Sequence, residues 1–176
     1  MENINENNFL NDLLTPMHQI HTFANGNSLF LGSQSAVGGF PDKWNYNADD
    51  YENVKNQLDN SNIKSIVCCA ELIKLYDNFE YLHIPMESND DFNINDSCIK
   101  AWEWINNKIN EGSVLVHCNA GCHRSATIVV GYLSYKLNEP LVQSYNYVRL
   151  KRSCINLDNF MGKLENVISK INQLTN

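Results

Sequence analysis

The sequence predicts an α/β fold, a sheet flanked by helices, and three observations carry that prediction. Short apolar runs such as Ile63 to Ala70 and Ser113 to Val116 read as buried strands. Between them lie segments whose apolar residues recur at helical spacing, for example Ile99, Trp102, Ile105 and Ile109. Strand and helix signals alternate along the chain, which is the order that an α/β sheet produces.

The elements follow in order. After a polar tail of residues 1 to 8, Asn8 to Leu14 has the spacing of a short amphipathic helix. Gln19 to Phe23 and Ser28 to Leu31 read as strands, and the turn signal Asn25-Gly26-Asn27 makes them a hairpin. Residues 36 to 50 mix glycine, proline, aromatics and acids without periodicity and read as a loop. Asp49 or Asp50 is placed to cap a helix reaching about Asp59, with Tyr51, Val54 and Leu58 toward the core. Glu80 to Ile84 is a further strand, stopped by Pro85 and followed by a polar loop from Met86 to Asn93.

Asn95 or Asp96 then caps a long helix that ends at Gly112. Ser125 to Leu137 is apolar nearly all round, as a central buried helix is, and Pro140 punctuates it. Two more helices are expected over 141–151 and 158–173, the second with Phe160, Leu164, Val167, Ile168 and Ile171. With no repeat and no linker signal, residues 1–176 read as one domain.

A chain of 176 residues is long enough to bury a continuous core without a structural metal. Its formal charge of -7 argues against a general polyanion binder, so nucleic acid is not an expected partner, although a local basic pocket is permitted. No run reaches the roughly 18 apolar residues of a membrane span. The start, MENINENNFLNDLL, has neither the basic end nor the apolar run of a secretory signal, and the protein is expected to be intracellular and soluble. In that setting the six cysteines are expected to stay reduced, and their spacing does not resemble a zinc site.

The chemistry is concentrated in residues 114 to 127, VLVHCNAGCHRSAT. An apolar strand runs into a short loop and then directly into a buried helix. In that geometry the amides of Asn119, Ala120, Gly121, Cys122 and His123 turn inward and join the positive helix end, forming a nest for a tetrahedral dianion. Cys118 at the mouth of the nest sits in a field that favours the thiolate, a nucleophile at neutral pH. Arg124, six positions on, can hold two phosphate oxygens bidentately, which lysine cannot. Gly121 permits a close backbone approach. Ser125 can donate a hydroxyl hydrogen bond to the sulfur and make it a better leaving group. His117 reads as an orienter of the loop, since an ionised thiolate needs no base.

These residues match the H-C-x5-R-S signature of the protein tyrosine phosphatase superfamily, and HCNAGCHRSATIVVGYL resembles its dual-specificity branch. SLFLGSQSA, SIVCCAE, YLHIPME, YVRLKRSCIN and FMGKL resemble further segments of that family, so the resemblance covers most of the chain. It implies a central, mainly parallel sheet flanked by helices, with the site at the carboxyl ends of the strands. It also implies dephosphorylation of phosphorylated protein substrates through a phosphocysteine, with no cofactor and no metal.

The resemblance fails at one position. Where the family has a loop aspartate that protonates the leaving oxygen, three residues after Pro85, this chain has Ser88, and a serine is no general acid near neutral pH. Glu87, Asp90 and Asp91 lie close by, with Asp90 the candidate replacement; a solvated acidic loop is the competing reading. Cys69, at the end of a strand that should neighbour the loop, matches the place where some relatives form a reversible disulfide with the nucleophile; Cys68 and Cys122 are lesser candidates, and small core filler is the plainer reading.

His123 either adds charge and contacts substrate or lines the rim. His18, His21 and His83 show no convergent spacing and are expected at surface or strand positions. Arg149, Lys151 and Arg152 are expected to form a solvated helix end. Two other functions compete with the phosphatase: a phosphate-binding pseudophosphatase without turnover, favoured by Ser88, and an RNA 5′-phosphatase, disfavoured by the acidic chain.

Overall fold

The computed structural model describes residues 10–12, 14–39, 48–74, 76–87, 89 and 91–175. Among the described residues five strands form one sheet: β1 (Met17–Thr22), β2 (Ser28–Gly32), β3 (Ile63–Cys68), β4 (Glu80–His83) and β5 (Ser113–His117). Their spatial order is β1-β2-β5-β3-β4, so β5 is central. β1 and β2 are the expected antiparallel hairpin, while β2–β5, β5–β3 and β3–β4 are parallel. The sheet is therefore mainly parallel, as the resemblance implies.

Beyond the helical residues near Leu10, the described helices are α1 (Ala48–Asn60), α2 (Asn95–Lys108), α3 (Arg124–Leu137), α4 (Leu141–Lys151) and α5 (Met161–Thr175), with a 3-10 turn at Gln34–Val37. Strand alternation divides them between two layers. Leu29, Leu31, Val67, Val114 and Val116 face the larger cluster, which holds Trp102 and Ile105 of α2, Ile128 and Val129 of α3, Val148 of α4 and Leu164 of α5. Phe30, Ile66 and Leu115 face the other way, against Val54 and Leu58 of α1 and Ala36 and Val37 of the 3-10 turn. Residues 125–134 of α3 are buried on every side, because the helix lies between the sheet and its neighbouring helices. Trp102 fastens α2 to α3: its indole N–H donates to the Ile128 carbonyl at 3.0 Å and its ring stacks on Tyr135.

Several expectations change in detail. The loop read over 36 to 50 begins inside the 3-10 turn and gives way to α1 at Ala48; positions 40–47 lie outside the described residues. Asp49 and Asp50 fall within the first turn of α1 rather than before it. Tyr51 is exposed, not core-facing, and its carbonyl accepts the Tyr76 hydroxyl at 2.9 Å. α2 stops at Lys108 instead of running to Gly112, and Asn93 Oδ1, ahead of the helix, takes the Asn95 N–H at 3.0 Å. Leu10, Asn11, Asp12 and Leu14 are helical, whereas Asn8, Phe9 and Leu13 fall outside the described residues.

Two expectations are overturned. Cys122 and Cys154 are joined by a disulfide, with Cα atoms 5.5 Å apart, so the cysteines are not all free; Cys68, Cys69, Cys98 and Cys118 are. The fold brings the two partners together across 32 positions of sequence, which spacing alone does not reveal. Arg152 is no part of a solvated helix end: its side chain is 0% exposed. Among the described residues no helix is long and apolar enough to cross a membrane, and no cluster of three or more His, Cys, Asp or Glu could hold a metal ion.

Candidate active site

β5 ends at His117, and the chain passes through Cys118 to His123 into α3 at Arg124. Because β5 is central and parallel to both neighbours, this loop opens at the carboxyl edge of the sheet, beside the ends of β2 and β3. The His117 carbonyl accepts the Cys69 N–H at 2.8 Å, which carries the sheet pairing one residue past β3.

Four consecutive carbonyls of the loop, Asn119 to Cys122, are held from outside. Asn119 O accepts the Gln34 N–H at 2.9 Å and Cys122 O accepts the Asn156 N–H at 3.0 Å. Ala120 O and Gly121 O accept Nη2 and Nε of Arg152, each at 3.0 Å. A trans peptide points its N–H opposite to its C=O, so the amides of Ala120, Gly121, Cys122 and His123 face the other way, into the hollow of the loop. Gly121 makes the bend possible: its φ is +72°, and a Cβ there would stand 2.5 Å from the Gly32 carbonyl oxygen. Asn119, Ala120 and His123 form an exposed rim, whereas Cys118 lies at the base with 2% of its surface accessible.

The buried Ser125 hydroxyl donates to Cys118 Sγ at 3.1 Å from the first turn of α3. Arg124 is half-buried, and its Nη1 donates to the Met86 carbonyl at 3.4 Å, tying the guanidinium to the chain that leaves β4. His117 is fully buried, and neither ring nitrogen makes a hydrogen bond. Burial pushes its pKa down to about 4, although the nearby Cys118 backbone favours the protonated ring slightly; the imidazole is neutral at pH 7. Thus the Ser125 hydroxyl and the Cys118 sulfur meet where the loop enters α3, and Arg124, the first residue of that helix, turns its guanidinium to the Met86 carbonyl.

Ser88 and Asp90, the two residues considered for the acid position, lie outside the described residues. Glu87 is exposed and accepts a hydrogen bond from the Asn89 amide, and Asp91 is exposed as well. Cys69 is wholly buried beyond the end of β3; burial first, and then the proximity of Cys118, Cys68 and Cys98, push its thiol well up. Cys122, the lesser redox candidate, is already engaged with Cys154.

Comparison with known proteins places this geometry. A family model described as the dual specificity phosphatase catalytic domain matches residues 45–169, more than two thirds of the chain. The chain belongs to the dual specificity phosphatases. Dual specificity protein phosphatase 4 of Homo sapiens is 40% identical over 88 residues, which are 49% of this chain and 22% of that protein. Dual specificity protein phosphatase 16 of Homo sapiens is 35% identical over 104 residues, 54% of this chain and 15% of that protein. The aligned part thus spans about a fifth of these relatives' length. In fold, the chain resembles the crystal structure of human tyrosine phosphatase-like serine/threonine/tyrosine-interacting protein, with a TM-score of 0.73, 24% identity, and coverage of 90% of this chain and 98% of that one.

Within this dual specificity phosphatase, sequence reasoning missed Arg152, His18 and Asp12. Arg152 Nη1 donates to the Thr15 carbonyl at 3.1 Å and to His18 Nδ1 at 2.8 Å. His18 Nε2 faces Asp12 Oδ1 at 3.3 Å, while Asp12 Oδ2 takes the Ser153 N–H. A cation near the end of a helix gave no signal of this role. Arg152 stands out only through its contacts with a loop 31 and 32 positions earlier.

Proposed function

We propose that the chain is a cysteine-dependent protein phosphatase that hydrolyses phosphotyrosine foremost, through a phosphocysteine on Cys118. The observation that carries the reading is Ser125 Oγ on Cys118 Sγ at 3.1 Å, beneath a loop whose carbonyls from Asn119 to Cys122 are held outward.

In the first step the phosphoryl group lies on the loop amides, with Arg124 clamping two of its oxygens. The Cys118 sulfur attacks phosphorus, an S–P bond forms, and the P–O bond to the substrate breaks. The departing oxygen takes a proton from a loop carboxylic acid, for which Asp90 is the candidate and Glu87 and Asp91 are its neighbours. In the second step water attacks phosphorus and gives its proton to the same loop carboxylate, restoring the acid, and inorganic phosphate is released. The S–P bond breaks, and Ser125 stabilises the departing thiolate. His117, neutral and buried behind the nucleophile, orients the loop without taking a proton.

Ser88 at the acid position favours a second reading, a module that binds phosphorylated partners without turnover. Turnover of an aryl phosphate and of phosphotyrosine and phosphothreonine peptides, measured with and without Cys118→Ser, separates the two. Hydrolysis abolished by the substitution supports the enzyme; tight phosphopeptide binding with no product burst supports the binder. Turnover indifferent to Cys118→Ser ends the proposal.

A further inference from the structure

We propose that neutral His18 is a positioning residue for the phosphate loop, acting through Arg152. The inference rests on the reading of that loop as an oxyanion site.

Arg152 offers only donors, so His18 Nδ1, 2.8 Å from Nη1, must be the acceptor in that contact. The ring proton then sits on Nε2, which faces Asp12 Oδ1 at 3.3 Å. Asp12 is fixed in turn by the Ser153 N–H, one residue beyond Arg152. This chain ends on the loop itself, because Nε and Nη2 of the same guanidinium hold the Gly121 and Ala120 carbonyls. A guanidinium is a rigid fork, and fixing Nη1 sets the direction of the other two nitrogens. With those carbonyls held outward, the amides of Gly121 and Cys122 stay aimed at the anion. Arg152 is fully buried, while His18 and Asp12 keep 22% and 17% of their side chains exposed, so solvent protons reach the assembly at its His18–Asp12 end.

A proton on Nδ1 would remove the acceptor and set a cation against the guanidinium. Burial first, and then the Arg152 charge, hold His18 below its ordinary pKa, with Asp12 opposing. Among the described residues no other charge acts on the ring, and β2 (SLFLG), paired with its strand, carries none. On α4, Arg149 and Lys151 lie over the rings of Tyr145 and Tyr147.

The test is the affinity of the full chain for inorganic sulfate, measured by calorimetry at about pH 7.5 and about pH 5.5, because sulfate stays a dianion while histidine titrates. At the higher pH, His18→Leu is expected to bind sulfate about fivefold more weakly than wild type. His18→Asn, whose Oδ1 can replace Nδ1 as acceptor, should stay within about twofold. Acid should weaken the wild type more than His18→Asn. Equal sulfate affinity for His18→Leu and wild type, or identical pH profiles for wild type and His18→Asn, overturns the proposal; the second comparison stands even if His18→Leu does not fold. Wild type that binds no sulfate at either pH defeats the oxyanion reading of the loop itself, a different failure.

Discussion

Ser125 Oγ stands 3.1 Å from Cys118 Sγ, and both atoms are buried where the end of β5 meets the start of α3. The hydrogen bond strengthens as charge collects on sulfur, so it assists the departure of thiolate more than its attack. Loss of a hydrogen bond to a charged group removes about 1.5–3 kcal/mol, roughly 10–100-fold in rate. Ser125→Ala is therefore expected to lower kcat by that factor and to show a burst of aryl leaving group with phosphocysteine accumulating. Linear product release at the wild-type rate would remove Ser125 from the mechanism.

Substrate preference follows from position 88. General-acid help is worth about 10²–10⁴-fold and matters most for alkyl leaving groups, whose alkoxides are far more basic than a phenolate. Ser88→Asp is expected to raise turnover on phosphoserine and phosphothreonine peptides and to change aryl phosphate turnover little. Asp90→Asn should lower alkyl turnover if Asp90 fills the role. Rates on alkyl phosphates that respond to neither substitution would show that the proton comes from elsewhere.

Gly121 lies at φ +72°, with its would-be Cβ 2.5 Å from Gly32 O and 3.0 Å from Arg152 Nη2. Gly121→Ala meets both the left-handed backbone penalty, about 1–2 kcal/mol, and a collision with backbone that cannot rotate away. Oxyanion affinity should fall together with thermal stability. A variant with wild-type melting temperature and sulfate affinity would contradict the geometry.

The Cys122–Cys154 bridge closes a segment of 32 positions and anchors the phosphate loop to the chain after α4. Loop-closure entropy predicts a loss of about 2–4 kcal/mol on Cys154→Ser or on reduction. Denaturant unfolding with and without reductant measures it, and non-reducing peptide mapping should recover the Cys122–Cys154 pair. Identical unfolding midpoints under both conditions would exclude the bridge from the stability of the fold.

Stability should fall in acid because of His117. Its folded pKa of about 4 lies below the ordinary 6.5, so the unfolded chain binds the proton more strongly. The contribution is fully present above about pH 6.5 and is lost as pH falls toward the folded value, amounting to about 2 kcal/mol between pH 7.5 and 5. His18, also depressed, adds in the same direction. Urea unfolding of His117→Asn should show a shallower loss over that interval; an unchanged slope would assign the acid sensitivity to other groups.

The sequence by itself determined the local features. Alternation and helical spacing place β1 to β5 and α2 to α5 within a few residues. The order Cys118, Gly121, Arg124, Ser125 is legible because a phosphate loop is built from consecutive residues, and its chemistry needs only their spacing. Tertiary structure decided what depends on contacts between distant segments. Tyr51 has helical spacing yet faces solvent, since the phase of a short helix is set by what it packs against. Arg152 reads as a surface cation until the loop carbonyls 31 and 32 positions earlier are seen to surround it. His18 and Asp12 join the same chain from more than 130 positions away, and Cys122 meets Cys154 only once α3 and α4 have folded back. Burial of a charge or a thiol is a property of the folded neighbourhood, so no window of sequence contains it.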